Sequence, residues 1–398
     1  MSKRTKLTTE AGEKQGGRRR FLAGLAGATG SLLLPREALR AFPDRPQIES
    51  LRDVLNISHL DRAAARKLSP AAYHFIVSSA DDGQTARANR EAFARARIRP
   101  RRLVNVSQLD TRVELFGETL NSPIVLAPAG NQGQVHAEAE LATARAAAAR
   151  GHLMIAAHMS NYGIEAIREA GAMNWFQIYP SANRDFMTHV ANRAEAAGCT
   201  ALVLTIDGPG RGNREAERWF AKHRDRSQGR PRMGLGNFTD FDGPKGIGDP
   251  TLDWDAVAEW RKQLQLPLLL KGVVTREDAR LARKTGVDGL IISNHGGRQE
   301  GSGRGTLDVL PDIADELRGR MPLLMDGGIR RGADVFKALA RGADAVCVGR
   351  PYLWGLGAFG QAGVEKCLKI LQGEFESTLR FAGTPSLADI TAQHVWRP

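Results

Sequence analysis

From residue 123 onward, short apolar runs alternate with Ala-rich amphipathic segments. Repeated strand–helix units that build a parallel sheet produce this alternation. Eight runs are predicted strands, each followed by a helix candidate: residues 123–128, 153–157, 174–179, 201–206, 267–271, 289–293, 322–326 and 345–349. Eight such units favour an α/β fold of the closed (β/α)8 type, a TIM barrel.

An open, doubly wound sheet is the alternative arrangement. It would more usually stop near about five or six strands and carry a Gly-rich turn after its first strand. No G-x-G-x-x-G motif follows residues 123–128, so we prefer the closed barrel. We place the barrel at residues 121–380, a helical segment packed on it at 47–120 with helices at 57–68 and 85–97, and a tail at 381–398.

One connection is much longer than the others. About 45 residues, 207–251, separate the fourth strand from its helix. Residues 222–248 are rich in Arg, Gly and Pro and contain no apolar run. Long connections of this kind are usually functional or mobile, so we predict a lid or loop here.

The first 46 residues differ in charge from the rest of the chain. They hold ten Lys or Arg and four Asp or Glu, which accounts for half of the net charge of +12. Arg18, Arg19 and Arg20 precede a mildly apolar run at 21–34, which is shorter than the ~20 residues that span a bilayer. The pattern resembles a twin-arginine export signal and predicts an exported or periplasmic protein. If this leader is not functional, the protein stays in the cytoplasm.

The remaining positive charge is spread over the chain and forms no clustered basic stripe, so we expect no nucleic-acid partner. A modest basic excess suits an anionic cofactor and an anionic substrate. Cys199, Cys347 and Cys367 lie far apart without metal-ligand spacing. They are interpreted as packing residues, and no metal site is expected.

Barrel enzymes build their active sites at the carboxyl ends of the strands. Six of the eight predicted strands end in side chains able to bind a ligand or do chemistry, which is a stronger signal than any one of them alone. In chain order, the strand ends read Ala127-Pro128, Ala157-His158, Gln177 with Tyr179, Thr205 with Asp207, Lys271, Ser293 with His295, Asp326 with Gly328, and Gly349-Arg350.

Two neighbouring Gly- and Arg-containing loops follow the last two strands, at residues 326–332 and 348–350. Glycines let backbone N–H groups approach an anion, and the next helix adds its positive N-terminal dipole. Turn glycines beside solvated arginines are the alternative interpretation. Because barrels commonly hold a phosphate after these two strands, we predict a phosphate site.

Lys271 ends the apolar run 268–270 and is followed by Gly272. Its ammonium is therefore predicted to rise from an apolar barrel. A desolvated lysine can form a Schiff base or serve as a fixed cation against developing negative charge. A lysine whose ammonium reaches solvent is the alternative.

The sharpest local motif is Ser-Asn-His-Gly-Gly-Arg-Gln at residues 293–299. It places His295 and Arg298 just after the sixth strand, with Asp207 and Arg214 in the same loop layer. A histidine can take up a proton near neutral pH, and an arginine can hold a carboxylate through two hydrogen bonds. The motif thus predicts a base beside a carboxylate-binding site.

With these residues the sequence resembles the family of FMN-dependent 2-hydroxy-acid oxidases and dehydrogenases, which includes glycolate oxidase, lactate oxidase and flavin-linked lactate and mandelate dehydrogenases. The resemblance runs from about Ile57 to Gly360, and Ser-Asn-His-Gly-x-Arg-Gln is highly specific to the family. It implies oxidation of an (S)-2-hydroxy acid to the 2-keto acid, with oxygen, a quinone or a cytochrome as electron acceptor. It also implies a homo-oligomer, a tetramer in the family.

The same resemblance implies a role for each matching residue. His295 would be the base, Asp207 would support the charged histidine, Tyr179 would bond the reacting oxygen, and Arg214 and Arg298 would bind the substrate carboxylate. FMN would contact the backbone at Ala127, Pro128 and Ala129 and the side chains of Gln177, Thr205, Lys271 and Ser293. Its phosphate would lie on Gly328, Arg330, Gly349 and Arg350, with Asp326 on the ribityl chain. Lys271 would stabilise the anionic reduced flavin instead of forming an imine.

Three positions depart from the family pattern. Phe75 stands where many members have a carboxylate-binding tyrosine, Ala157 where a serine often touches the flavin, and Met159 where glycolate oxidase has a tryptophan. We favour an interpretation in which Phe75 and Met159 line a pocket for a larger, apolar or aromatic 2-hydroxy acid. The alternative is a site for small acids such as glycolate and lactate, held mainly by Arg214 and Arg298 and bound with poor affinity. An FMN barrel of another reaction type, such as an isomerase, and a flavin-binding relative without turnover are the alternatives.

Overall fold

The computed structural model describes residues 47–171, 174–223 and 233–396. Eight parallel strands close into a barrel in chain order, with the last strand paired to the first. The barrel strands are β1 Ile124–Leu126, β2 Met154–Ala157, β3 Asn174–Ile178, β4 Leu202–Thr205, β5 Leu268–Val273, β6 Gly289–Ile292, β7 Leu323–Asp326 and β8 Ala345–Val348. The predicted (β/α)8 barrel is confirmed, and the predicted runs match the strands to within two residues at either end.

Helices surround the barrel and precede it in the chain. They are α1 Ile57–Lys67, α2 Pro70–Val77, α3 Gln84–Arg95, α4 Ala139–Arg150, α5 Ile164–Glu169, α6 Arg184–Ala196, α7 Glu215–Lys222, α8 Trp254–Arg261, α9 Arg276–Lys284, α10 Thr306–Leu317, α11 Gly332–Ala340 and α12 Arg350–Ala382. Helix α12 is kinked, because Phe359 and Gly360 have non-helical backbone angles. No described helix is long and apolar enough to cross a membrane.

The strands are buried on both faces, as in other parallel barrels. Residues of one parity, such as Val125, Val203 and Leu269, fill the barrel interior, whereas their neighbours pack under the helices. This alternation follows from the two-residue repeat of a strand. It explains why the strands read as nearly continuous apolar runs in the sequence.

A small hairpin covers the amino-terminal end of the barrel. Its strands, Val113–Leu115 and Glu118–Leu120, pair in antiparallel fashion, and Leu115 and Leu120 belong to the apolar cluster of the barrel interior. Between them, the ring of Phe116 packs edge-on against Trp175 with ring centroids 5.4 Å apart. The barrel is therefore filled and capped at the end opposite the predicted site.

Two further contacts tie segments outside the barrel strands to the rest of the fold. The side-chain amide of Asn89, on α3, exchanges hydrogen bonds with that of Asn294 at 2.8 and 2.9 Å. Arg97–Ile98 pairs with Val395–Trp396 as a two-stranded ladder. The three cysteines are free and buried, in agreement with their interpretation as packing residues.

The long connection after β4 is only partly loop. It contains α7, which the sequence did not predict, and Phe238 and Phe241, which pack against Phe186 on α6. Residues 224–232 of this connection and the predicted export signal in residues 1–46 lie outside the described residues.

Candidate active site

A cavity of about 580 Å³ opens at the carboxyl ends of the strands, a volume typical of cofactor and substrate sites. Most of the predicted site residues line it. They are Phe75, Ala127, Pro128, Ala129, Met159, Gln177, Tyr179, Arg214, Lys271, His295, Arg298, Asp326, Gly328, Arg330, Gly349 and Arg350. Thr205, Asp207 and Ser293 are absent from the lining. Thr205 is buried beside Lys271 in the β4–β5 pairing.

Lys271, on β5, is a fixed cation in the floor of the cavity. Lys271 is buried, with 3% of its surface exposed. The ammonium Nζ donates to Ser293 Oγ at 2.8 Å and lies 3.3 Å from Asp326 Oδ2 and 3.8 Å from Asp207 Oδ2. Burial lowers the pKa of Lys271, but the charges of Asp326 and Asp207 outweigh burial and leave the pKa above its usual value. The lysine therefore stays charged, which disfavours imine formation.

His295 is paired with a buried carboxylate. Its Nδ1 lies 2.9 Å from Asp207 Oδ1. Burial raises the pKa of Asp207, but the charges of His295 and Lys271 bring it below its ordinary value, so the carboxylate is ionised. With Nδ1 engaged by Asp207, Nε2 is the ring nitrogen left for a substrate.

An unusual backbone turn presents this histidine. His295 has φ of 55°, in the left-handed region that non-glycine residues rarely adopt. Gly296 and Gly297 continue with φ of 64° and 74°. A Cβ on Gly297 would lie 2.5 Å from the backbone nitrogen of Ala86. Glycine is therefore required at 297 for the turn to pass close to α3.

Two arginines from different loops meet at one side of the cavity. Arg298 Nη1 donates to the carbonyl oxygens of Ile76 and Ser78 at 3.3 and 3.0 Å, at the end of α2. Burial, Arg350 and Arg214 lower the pKa of Arg298 to about 9, so it remains charged at neutral pH. The Nε of Arg214 is buried and has no hydrogen-bond partner among the described residues. Together the two arginines can hold a carboxylate.

Arg330 and Arg350 form a second cationic centre, at the ends of β7 and β8. Burial and the mutual repulsion of the two lower the pKa of Arg350 to about 10. Within the part of the chain that the structure describes, Arg350 donates only to backbone carbonyls, those of Ile76, Ser78 and Gly296, at 2.9 to 3.2 Å. Gly349 precedes the first turn of the 33-residue helix α12. Buried like charges beside a helix N-terminus suit a phosphate.

The remaining lining fits a flavin. Gln177 accepts a hydrogen bond from the His158 backbone at 3.3 Å, but its buried Nε2 has no partner among the described residues and is free for a cofactor. Tyr352 donates to the Ala127 carbonyl at 2.9 Å and fixes the edge formed by residues 127–129. A phosphate site, a fixed cation and an unpartnered amide donor on one cavity match the parts of FMN.

One apolar ring lies beside Arg298 in the cavity lining. Phe75 is partly buried, and the Arg298 guanidinium lies 5.9 Å from the centre of its ring. Met159 and Ile247 also line the cavity. The neighbouring tyrosine cannot substitute for the missing hydroxyl at 75, because Tyr73 donates to Asp61 at 2.8 Å.

The sequence did not predict one acidic residue of the site, Glu217 on α7. Its carboxylate lines the cavity and lies 3.1 Å from both Arg214 and Arg298. The signal was present, since Arg214 and Glu217 have the three-residue spacing of a helical ion pair. The spacing was not recognised, because no helix was predicted in the long connection that contains both residues.

The class of protein is a flavin-dependent oxidoreductase. It is indicated by the barrel, by the histidine paired with Asp207 and by a cavity lining that fits FMN. The profile of the family described as FMN-dependent dehydrogenase matches residues 64–397, and the chain belongs to this family. It is 42% identical over 352 residues to peroxisomal (S)-2-hydroxyacid oxidase GLO3 of Arabidopsis thaliana, covering 86% of this chain and 96% of the relative. Glycolate oxidase 3 of Oryza sativa subsp. indica is 39% identical over 357 residues, with the same coverage.

Solved structures agree with this assignment. Mandelate oxidase with (S)-2-phenylpropionate superposes with a TM-score of 0.79 at 33% identity, over 86% of this chain and 98% of the other. An active chimera of (S)-mandelate dehydrogenase gives a TM-score of 0.80 at 31% identity, over 87% and 100%. The predicted cofactor and activity are confirmed: the chain is an FMN-dependent enzyme that oxidises 2-hydroxy acids. The isomerase interpretation is set aside.

Proposed function

We propose that this enzyme oxidises (S)-2-hydroxy acids that carry a large apolar or aromatic side chain to the corresponding 2-keto acids. The observation that carries the proposal is that the Phe75 ring lies beside Arg298 and that Met159 also lines the cavity, two positions at which the family resemblance implies polar or bulkier residues. An apolar wall favours an apolar side chain because contact removes both surfaces from water. Two of the solved structures to which this chain is similar are named for mandelate, which is consistent with this choice.

In this proposal the chain's own residues divide the work as follows. Arg214 and Arg298 hold the carboxylate, and His295 takes the hydroxyl proton on Nε2 while Asp207 stabilises the imidazolium. Burial and Asp207 raise the pKa of Tyr179, so its phenol stays protonated and donates to the reacting oxygen. Bound FMN would accept the two electrons together with the hydrogen of the substrate carbon, as a hydride, and this balances the loss of the hydroxyl proton to His295. Lys271 provides a positive charge beside the flavin that needs no rearrangement during the reaction.

Phe75→Tyr tests the substrate class. In this proposal the apolar or aromatic side chain of an acid such as mandelate packs on residue 75 and keeps the added hydroxyl from the carboxylate. The hydroxyl would then lose water without a partner, and we expect KM to rise several-fold. For glycolate and lactate, the hydroxyl can reach the carboxylate, and a bond to a charged group is worth about 1.5–3 kcal/mol, so KM should fall by about tenfold. Anaerobic flavin reduction over a panel of these acids measures both effects.

Phe381→Tyr is the matched control, because Phe381 is 71% exposed and does not line the cavity. It should leave every KM unchanged. A wild type that prefers glycolate or lactate, together with a Phe75→Tyr variant that gains nothing on them, would contradict the proposed substrate class.

The electron acceptor and assembly are part of the same proposal. The curated relatives are named as oxidases, which supports oxygen over a quinone or a cytochrome. Mixing the anaerobically reduced enzyme with each acceptor separates the three by rate. We also propose a homo-oligomer, which sedimentation of the holoenzyme tests.

We further propose export through the twin-arginine route. Replacing Arg18 and Arg19 together with Lys should retain the protein in the cytoplasm with normal activity, because the signal depends on the arginine pair and not on charge alone. Fractionation followed by an activity assay measures the effect. Replacing Arg36 and Arg40 with Lys is the control for a general change in the leader. If the variant with Lys at 18 and 19 is exported as well as the control variant, Arg18 and Arg19 are not part of an export signal.

A further inference from the structure

Glu217 occupies the place in the arginine pair that a bound carboxylate would take. Its Oε2 accepts hydrogen bonds from Arg214 Nη1 and Arg298 Nη2, both at 3.1 Å, and from Ser78 Oγ at 3.3 Å. Three donors from three separate segments thus converge on one oxygen atom. The Glu217 side chain is only 12% exposed, so solvent screens these contacts weakly.

The second oxygen of Glu217 points to a different partner. Arg211 Nη2 donates to Oε1 at 3.1 Å, and the Arg211 side chain is 66% exposed. This arginine is able to retain the carboxylate if Oε2 leaves the pair. Phe220 on the same helix stacks on His74 of α2 with ring centroids 3.9 Å apart, and this contact ties α7 to α2 while the Glu217 side chain changes partner.

The charges of the site explain why an internal carboxylate is present. Burial lowers the pKa of Arg298, and the charges of Arg350 and Arg214 lower it further, whereas Glu217 raises it. Glu217 therefore compensates a concentration of positive charge that would otherwise attract any small anion. An incoming carboxylate meets two arginines whose positive charge is already partly balanced by Glu217, and it has to displace the Glu217 carboxylate in order to bind.

We propose that Glu217 is an internal ligand of the arginine pair that the substrate carboxylate displaces, so that it limits the affinity of the site for carboxylates. The inference rests on the proposed role of Arg214 and Arg298 in binding the substrate. Glu217 acts through these arginines and takes no part in the redox step. Its removal lowers the KM for carboxylate substrates.

The test uses the oxidised FMN holoenzyme and phenylacetate, a carboxylate without the reactive hydroxyl. Binding is followed by the change in visible flavin absorption. In Glu217→Gln, which keeps the shape but removes the charge, the dissociation constant of phenylacetate should fall by about tenfold, as expected for loss of one nearby like charge in a partly buried site. Phenylacetamide has nearly the same shape without the charge, and its dissociation constant should change less than twofold.

Glu215→Gln is the matched control. Glu215 lies on the same helix, is exposed and does not line the cavity, so this variant should bind phenylacetate as the wild type does. Glu217→Ala repeats the measurement without an amide, and flavin content checks that both variants fold. Unchanged or weaker phenylacetate binding in Glu217→Gln and Glu217→Ala would overturn the inference, since Glu217 would then only support the arginines.

Failure of the proposed carboxylate site gives a different result. Arg298→Met should weaken phenylacetate binding in the wild-type background. If Arg298→Met binds phenylacetate as tightly as the wild type, the arginine pair is not the carboxylate site, and both the residue assignment and the inference fall. If Arg298→Met binds weakly and Glu217→Gln is unchanged, only the inference falls.

Discussion

His295→Ala is expected to slow substrate-driven reduction of bound FMN by about 10²- to 10⁴-fold, the range that general-base catalysis contributes. The ring lines the cavity, and its Nδ1 is held 2.9 Å from the ionised Asp207. Alanine removes the proton acceptor without touching the arginine pairs that hold substrate and phosphate. FMN should therefore remain bound, and stopped-flow absorbance under anaerobic conditions isolates the lost step.

The control for this variant is His223→Ala. His223 is exposed at the end of α7, stacks on Trp219 and does not line the cavity, so its replacement should leave the reduction rate unchanged. Asp207→Asn should fall between the wild type and His295→Ala, because it removes the charge that stabilises the imidazolium but leaves the base in place. A reduction rate within a few-fold of wild type in His295→Ala would remove this residue from the proton transfer.

Lys271→Met should reduce the flavin reduction rate by about 10²- to 10³-fold, the usual effect of losing one fixed donor to developing charge. It should also weaken FMN retention and lower the melting temperature. The reason is that Asp207 and Asp326 lose the cation between them while remaining buried. Leaving a buried charge without its partner destabilises a protein by about 3–5 kcal/mol.

Lys262→Met is the control for this second variant. Lys262 is 68% exposed and pairs with Glu259 on the surface, and exposed pairs of this kind are worth about 0–1 kcal/mol. Flavin content, melting temperature and the anaerobic rate should all stay near wild type. A Lys271→Met enzyme that keeps its flavin and reduces it at the normal rate would contradict the role of a fixed cation.

Most of the barrel could be predicted from the sequence because both faces of each strand are buried. Runs such as Ile124–Leu126 and Leu202–Thr205 are buried at every position, so they stand out from the amphipathic helices between them. Helix α7 could not be found in this way. It is only eight residues long and has no fully buried residue, so its short apolar stripe of Ala216, Trp219 and Phe220 did not stand out within an Arg-rich connection.

The site was predictable where it follows strands and not where it depends on loops. Lys271 lies near the carboxyl end of β5 and Asp326 ends β7, two strands away in one closed sheet, so the fold alone brings them close together. Glu217 meets Arg298 only through the path of the connection after β4 and the end of α2. Contacts of that kind depend on the tertiary course of loops, which carries no periodic signal.

The hairpin that caps the amino-terminal end of the barrel also limits the routes by which small molecules can reach the flavin site. Side chains fill the interior beneath Lys271, and Phe116 and Trp175 cover its far end, so within the described structure nothing reaches the flavin along the barrel axis. Hydroxy acid, keto acid and electron acceptor must therefore share the carboxyl-terminal mouth. A keto acid that has not yet departed obstructs a bulky acceptor more than it obstructs oxygen. We therefore expect product inhibition by the keto acid to become stronger as the electron acceptor becomes larger.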